Sequence, residues 1–181
     1  ALSNVSFTVQ RQSIHGFVGP NGAGKTTTLK VLATLLKPQA VGGAKVRVFG
    51  QDIVGERNTV RRRMGFMPDH FSMYRQMSVF EYLDFFGAAF EIPRNVRRNR
   101  VAEVLELTNA TWMQDRYVES LSHGMQQRIG IARTLLHNPE VLILDEPANG
   151  LDPAGIREIR LLLRELADEG RTVLVSSHQL A

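Results

Sequence analysis

Between Ser13 and Leu36 the chain passes from an apolar stretch through Gly19-Pro20-Asn21-Gly22-Ala23-Gly24-Lys25-Thr26-Thr27 into a segment with helical spacing. Ser13-Ile14-His15-Gly16-Phe17-Val18 reads as a strand, and Thr26 to Leu36 as a helix with Leu29, Leu32, Ala33 and Leu36 on one face. The loop between them fits G-x-x-x-x-G-K-[ST] in full, in the strand–loop–helix context that gives the pattern meaning. Glycines let the backbone curl without steric cost and turn successive N–H groups inward as a nest for an anion. The first helical turn adds unpaired donors and the positive end of its dipole. Lys25 reaches toward β- and γ-phosphates, and the Thr26 hydroxyl is a ligand for Mg²⁺. The feature predicts binding of a nucleoside triphosphate.

At 181 residues, with 43% hydrophobic and 22% charged, the sequence fits one globular domain with a real interior. It has no cysteine, which excludes a disulfide framework and Cys-based metal or redox chemistry. The net charge of +4 is carried largely by arginine, in the clusters Arg61-Arg62-Arg63 and Arg94, Arg97, Arg98 and Arg100. Solvated helix faces are the ordinary reading of such clusters; contact with an anionic membrane surface or nucleic acid is the sharper one. No apolar run reaches the roughly 18 to 20 residues that span a bilayer. The chain begins inside one strand-like segment and stops soon after another, as a domain cut from a longer protein would.

Val5, Phe7 and Val9 alternate along Leu2 to Gln10 and predict an N-terminal strand. Pro38 closes the first helix, Lys45 to Phe49 reads as a strand ended by Gly50, Glu56 to Arg63 as a short helix, and Met64 to Met67 as a buried strand. From Ser78 the pattern is helical. Ser78 with Glu81 makes a capping box, followed by an apolar stripe of Val79, Tyr82, Leu83, Phe86 and Phe90. Pro93 breaks that helix, Val96 to Leu107 resumes it, and Thr111 to Arg116 adds a short third. The run 78–118 holds no strand candidate and reads as a helical subdomain inserted into a core of residues 1–77 and 119–181. Gly124 to Leu136 and Pro153 to Ala167 are helices, and Val141 to Leu144 and Thr172 to Val175 are strands. Apolar strands between helices predict an α/β fold with a mainly parallel sheet covered on both faces, preceded by antiparallel strands.

The strand Val141 to Leu144 ends in Asp145-Glu146-Pro147. A carboxylate there is placed to hold Mg²⁺, through Asp145, while Glu146 serves the attacking water. That second role requires the chain to leave strand geometry at Glu146, which Pro147 favours. Upstream lies Leu121-Ser122-His123-Gly124-Met125-Gln126-Gln127-Arg128, with Ser122 a natural N-cap. In this order the segments resemble the ATP-binding cassette family, the nucleotide-binding domains of ABC transporters and their relatives. The resemblance spans nearly the whole chain.

The resemblance implies a phosphate-loop ATPase fold using ATP and Mg²⁺. It implies that Gly19, Pro20, Asn21, Gly22, Ala23, Gly24, Lys25, Thr26 and Thr27 cradle the phosphates, with Thr26 and Asp145 on the metal. Glu146 becomes the catalytic carboxylate and His178, after Val175-Ser176-Ser177, the switch histidine. Asn149-Gly150-Leu151-Asp152 becomes the D-loop, and Ser122 with Gly124 binds the γ-phosphate held by an opposite subunit. The sequence departs from the family pattern at Asp69, where glutamine is usual, at His123 for glycine, Met125 for glutamine and Asn149 for serine. Asp69 accepts but cannot donate hydrogen bonds; it is a candidate metal ligand and catalytic-site residue that loses a donor toward water or phosphate.

The implied partners are a second cassette, identical or different, and a membrane-spanning permease domain or subunit, on the cytoplasmic face of a membrane. Met77 to Phe86 and Leu121 to Met125 look most like exporter-type cassettes for drugs, lipids or polysaccharides. The alternative is a soluble cassette acting on ribosomes or DNA; no direct nucleic-acid contact is expected on the leading reading.

Overall fold

The computed structural model describes residues 5–38, 45–74 and 76–178. Its centre is a parallel sheet of β1 (Ile14–Val18), β4 (Met64–Met67), β5 (Val141–Leu144) and β6 (Thr172–Ser177), in the order β1-β6-β5-β4. Leu142 stands opposite Gly65 on one side and Val173 on the other, so the sequence's fully apolar strand becomes the middle of the ladder. Alternation along the strands then sorts side chains to two faces. Leu142, Leu144 and Val173 pack with Ile129 and Leu135 of α5 (His123–Leu135) and with Ile159 and Leu163 of α6 (Pro153–Asp168). Ile143, Leu174 and Met64 pack the opposite way, against Leu29 of α1 (Lys25–Leu32) and Val60 of α2 (Arg57–Arg62). Each buried aliphatic side chain contributes about 1.5–3 kcal/mol, so both faces drive the sheet to close. The expected doubly covered α/β architecture is what forms.

The expected antiparallel strands are present as a two-stranded ribbon of β2 (Arg47–Val48) with β3 (Gln51–Asp52), pairing Arg47 with Asp52 and Val48 with Gln51. Its turn residues Phe49 and Gly50 have φ of 56° and 77°, so Gly50 opens a tight hairpin where the sequence reads it as a strand end. The strand expected over Leu2 to Gln10 does not form over its described part, residues 5–10. That stretch makes no ladder with β1. Phe7 rests on Phe17 instead, ring centroids 5.5 Å apart.

Helix α1 stops short of the expected Leu36 because Thr34 turns to φ 60°. Left-handed backbone is unfavourable for a β-branched residue. Here Arg61 offsets the cost by donating to both the Thr34 hydroxyl, at 2.6 Å, and its carbonyl, at 3.0 Å. Other members of the arginine clusters are struts too. Arg97 grips Asp84 through two nitrogens at 2.6 and 3.1 Å, and Arg100 donates to the carbonyls of Leu135 and Leu136. Arg63 clamps Glu140 at 2.6 and 2.8 Å while covering the Phe49 ring. These arginines tie elements together, which the reading of a plain solvated face overlooks.

Between β4 and α5 the chain is helical, with α3 (Val79–Ala89), α4 (Arg94–Leu107) and two short 3₁₀ turns, Thr111–Met113 and Val118–Ser120. Entry and exit of this run are joined. Val79 N–H donates to Arg116 O, Phe80 N–H to Gln114 O, and Val118 N–H to Met77 O, each at 2.9 Å. The capping box is formed, with Glu81 N–H donating to Ser78 Oγ and Ser78 N–H to Glu81 Oε2. The Ser78 N–H holds the Glu81 carboxyl below the usual carboxylate range, so this link is present at neutral pH and is lost as pH falls through the lowered value. Ser78→Ala is expected to destabilise α3 by about 1 kcal/mol, read as a lower midpoint in urea; an unchanged midpoint would show the cap to be idle.

Candidate functional site

The ends of β1, β5 and β6 meet at one rim of the sheet. Gly22 and Gly24 take φ of 81° and 91°, which only glycine accepts readily, and Gly24 caps α1 without using a side chain. The first-turn N–H groups of α1 are therefore left to face a ligand. Gly19 N–H donates to Ser177 O at 3.3 Å, tying the start of the loop to the end of β6. Lys25 is 8% exposed; its ammonium donates to the carbonyls of Gly19 (2.7 Å) and Pro20 (3.2 Å) and lies 3.5 Å from Glu146 Oε1. Thr26 and Thr27 stand exposed on the same first turn.

Asp145 follows the last residue of β5 and is fully buried. Its Oδ1 accepts from the Ser176 hydroxyl at 2.6 Å, while the buried Oδ2 has no hydrogen-bond partner. A buried carboxylate oxygen is costly to leave unmatched, and a hydrated divalent cation beside the phosphate loop is a fitting partner. No group of three or more His, Asp or Glu converges on a metal position among the described residues. Mg²⁺ does not need one, since it keeps several waters and takes oxygens from the phosphates. The donor set therefore fits Mg²⁺.

Glu146 has φ 51°, so the chain does leave strand geometry there, as the second carboxylate's role demands. The turn swings its side chain back over the phosphate loop. Glu146 Oε1 faces Lys25, and Oε2 accepts from the His178 backbone N–H at 3.3 Å and lies 2.9 Å from His178 Nδ1. With a carboxylate as acceptor, Nδ1 carries the proton. The structure thus brings together Lys25, Asp145, Glu146 and His178 from three separated stretches of sequence.

Ser176 is the residue that sequence reasoning passed over. Its hydroxyl donates to Asp145 and accepts from Glu146 N–H at 2.9 Å, orienting the Asp145 carboxylate and anchoring the Glu146 backbone from the neighbouring strand. The β5–β6 register pairs Leu144 with Val175, which places Ser176 beside Asp145. A polar residue closing an apolar strand was the available signal, and only the register gives it meaning.

The remaining predicted residues lie apart from this group. Ser122 Oγ accepts from Met125 N–H at 3.4 Å and caps α5, with Gly124 in the first turn. Asp69, just after β4, accepts from Asn149 Nδ2 at 3.3 Å and sits 2.8 Å from His70 Nδ1. A cleft of about 370 Å³ separates that loop from α5, lined by Asp69, Phe71, His123, Gln126 and Gln127 among others. No helix among the described residues is long and apolar enough to cross a membrane.

The family described as "ABC transporter" matches residues 2–149. The ABC transporter ATP-binding protein YhcH of Bacillus subtilis is 41% identical over 99% of this chain and 57% of its own length. The bacitracin transport ATP-binding protein BcrA of Bacillus licheniformis is 38% identical over 100% of this chain and 58% of its own. The daunorubicin resistance ATP-binding protein DrrA3 of Streptomyces coeruleorubidus is 38% identical over 99% and 56%. The chain thus spans little more than half the length of the curated relatives it matches. Among solved structures, cbiO1 from Clostridium perfringens, part of the ABC transporter complex cbiONQ, superposes with a TM-score of 0.85 at 30% identity, over 99% of this chain and 72% of that one. The family match over most of the chain, with relatives of 38–41% identity along nearly all of it, shows that this chain belongs to the ABC transporter family, as one of its ATP-binding domains.

Proposed function

We propose that the protein containing this chain hydrolyses ATP with Mg²⁺ and uses the energy to drive export across a membrane. The observation that carries this is the convergence of Lys25, Glu146 and His178 above the half-satisfied Asp145. The loop from Gly19 to Thr27 cradles the triphosphate. Thr26 and Asp145 would hold Mg²⁺, which would supply positive charge to offset that developing on the phosphates. Glu146 orients the attacking water and accepts its proton, and His178 fixes the carboxylate through its ring and backbone N–H groups. Both Asp69 oxygens have partners in Asn149 and His70, so we assign Asp69 to loop positioning and leave the metal to Thr26 and Asp145.

Ser122 and Gly124 stand away from this group, at an exposed helix N-terminus. A head-to-tail pair of cassettes gives them a ligand in the partner's γ-phosphate, and a permease then converts closure of the pair into transport from the cytoplasmic face. A relative named for Nod factor export, 37% identical over 98% of this chain, supports export as the direction. The arginines that favoured a nucleic-acid partner are in good part engaged within the fold.

The test is ATP binding and hydrolysis by the full-length protein. Lys25→Ala removes a charge-assisted contact and is expected to weaken ATP binding by roughly 10- to 100-fold. Chelation of Mg²⁺ is expected to abolish phosphate release. An ATP affinity unmoved by Lys25→Ala would contradict the assignment of the loop.

A further inference from the structure

Three of the positions at which this sequence departs from the family pattern, Asp69, His123 and Asn149, are hydrogen-bonded into one unit. His123 Nε2 lies 2.8 Å from the Asn149 carbonyl oxygen. Two acceptors would repel at that separation, so the ring proton is on Nε2 and the histidine donates. Gln127, buried one turn further along α5, brings its amide to 3.4 Å from the same nitrogen; with the ring proton on Nε2, the atom that fits there is the amide oxygen, which otherwise has no partner. On the other side of the turn, Asn149 Nδ2 donates to Asp69 Oδ1 at 3.3 Å. Packing reinforces these bonds. A Cβ on Gly150, whose φ is 71°, would lie 3.3 Å from both Cδ2 and Nε2 of His123, and one on Gly124 would lie 3.4 Å from Leu151 Cδ2. The turn 149–151 therefore sits directly on the first turn of α5.

That turn begins on Glu146. Asn149 N–H donates to the Glu146 carbonyl at 3.0 Å, closing a loop around the residue held at φ 51°. A non-glycine residue in left-handed backbone costs about 1–2 kcal/mol and persists only where its surroundings hold it. Here Ser176 holds the amide side of Glu146 and Asn149 the carbonyl side. His123 in turn holds Asn149.

We propose that His123 is a positioning residue for hydrolysis, acting through the Asn149 carbonyl to fix the turn that presents Glu146 and to bind that turn to the helix end carrying Ser122 and Gly124. The inference rests on reading Glu146 as the carboxylate that serves the water. It gives His123 a task that glycine, usual at this place in the family, cannot perform with a side chain. The donors at 122 and 124 and the carboxylate at 146 then move as one piece.

The test compares two replacements of similar reach in the full-length protein. His123→Met fills the space without a donor, whereas His123→Gln returns an N–H near the position of the imidazole Nε2. His123→Met is expected to lower kcat by roughly 3- to 10-fold, the worth of one hydrogen bond, with ATP affinity unchanged within about twofold. His123→Gln is expected to recover most of the loss, with thermal melts showing both variants folded well above the assay temperature. Equal kcat in the Met and Gln variants, or a loss that appears in ATP affinity, would overturn the proposal. A folded wild-type protein that hydrolyses no ATP would overturn the reading beneath it, so the two failures are told apart.

Discussion

Replacing Glu146 with glutamine is expected to leave ATP bound and to reduce phosphate release by roughly 10²- to 10⁴-fold, the usual contribution of a positioned general base. Glutamine keeps the size of the side chain and an oxygen for the His178 N–H groups, so the site's shape survives. What it loses is the charge that accepts a proton. The same change removes the negative partner 3.5 Å from Lys25, leaving the ammonium free to serve phosphate alone. Affinity for ATP is therefore expected to hold or rise while turnover falls, and a nucleotide-bound pair of cassettes is expected to accumulate on size-exclusion chromatography with ATP. Steady-state hydrolysis equal to wild type would remove Glu146 from the chemistry.

The second large effect concerns the fold. Gly65 lies in β4, and a Cβ there would fall 2.6 Å from Thr134 Cγ2, 2.7 Å from the Thr134 carbonyl oxygen and 3.1 Å from Pro139 Cγ. None of these can step aside cheaply. The carbonyl is helix backbone, the proline is a ring, and the Thr134 rotamer is held by its hydroxyl donating to Gly130 O at 2.8 Å. Gly65→Ala must therefore push β4 away from α5, at a cost of about 3 kcal/mol. For a domain of this size that corresponds to a fall in Tm of roughly 6–12 °C. A variant that melts with wild type would mean the helix and strand are less closely apposed than these distances state.

Much of this was legible in the chain before any coordinates. The phosphate loop announces itself because its chemistry is local, with glycines, lysine and threonine at fixed offsets within a few residues. Val141 to Leu144 is legible because a strand buried on both faces has no polar positions, and Ser78 with Glu81 because a cap needs only its own turn. The failures share the opposite property. Whether residues 5–10 join a ladder depends on a partner strand, not on alternation. Gly50 as a terminator or a hairpin turn is decided by the residues beyond it. Ser176 acquires its role from a strand register and Arg61 from a threonine 27 positions away. His123 donates to a carbonyl 26 positions along. Local pattern shows what a residue prefers; these contacts are set by which distant segment the fold brings alongside.

The strand order has a consequence for how the protein is made. Among the described residues β1, which feeds the phosphate loop, finds its only sheet neighbour in β6, with Ile14 paired to Val173 some 160 residues further along. During synthesis the loop emerges early but has no neighbouring strand to seat it until Thr172–Ser177 has left the ribosome, about ten seconds or more later at ordinary elongation rates. The carboxylates after β5 likewise wait for Ser176. A nascent chain carrying every residue of the loop therefore still lacks the strand that seats it until β6 has been made.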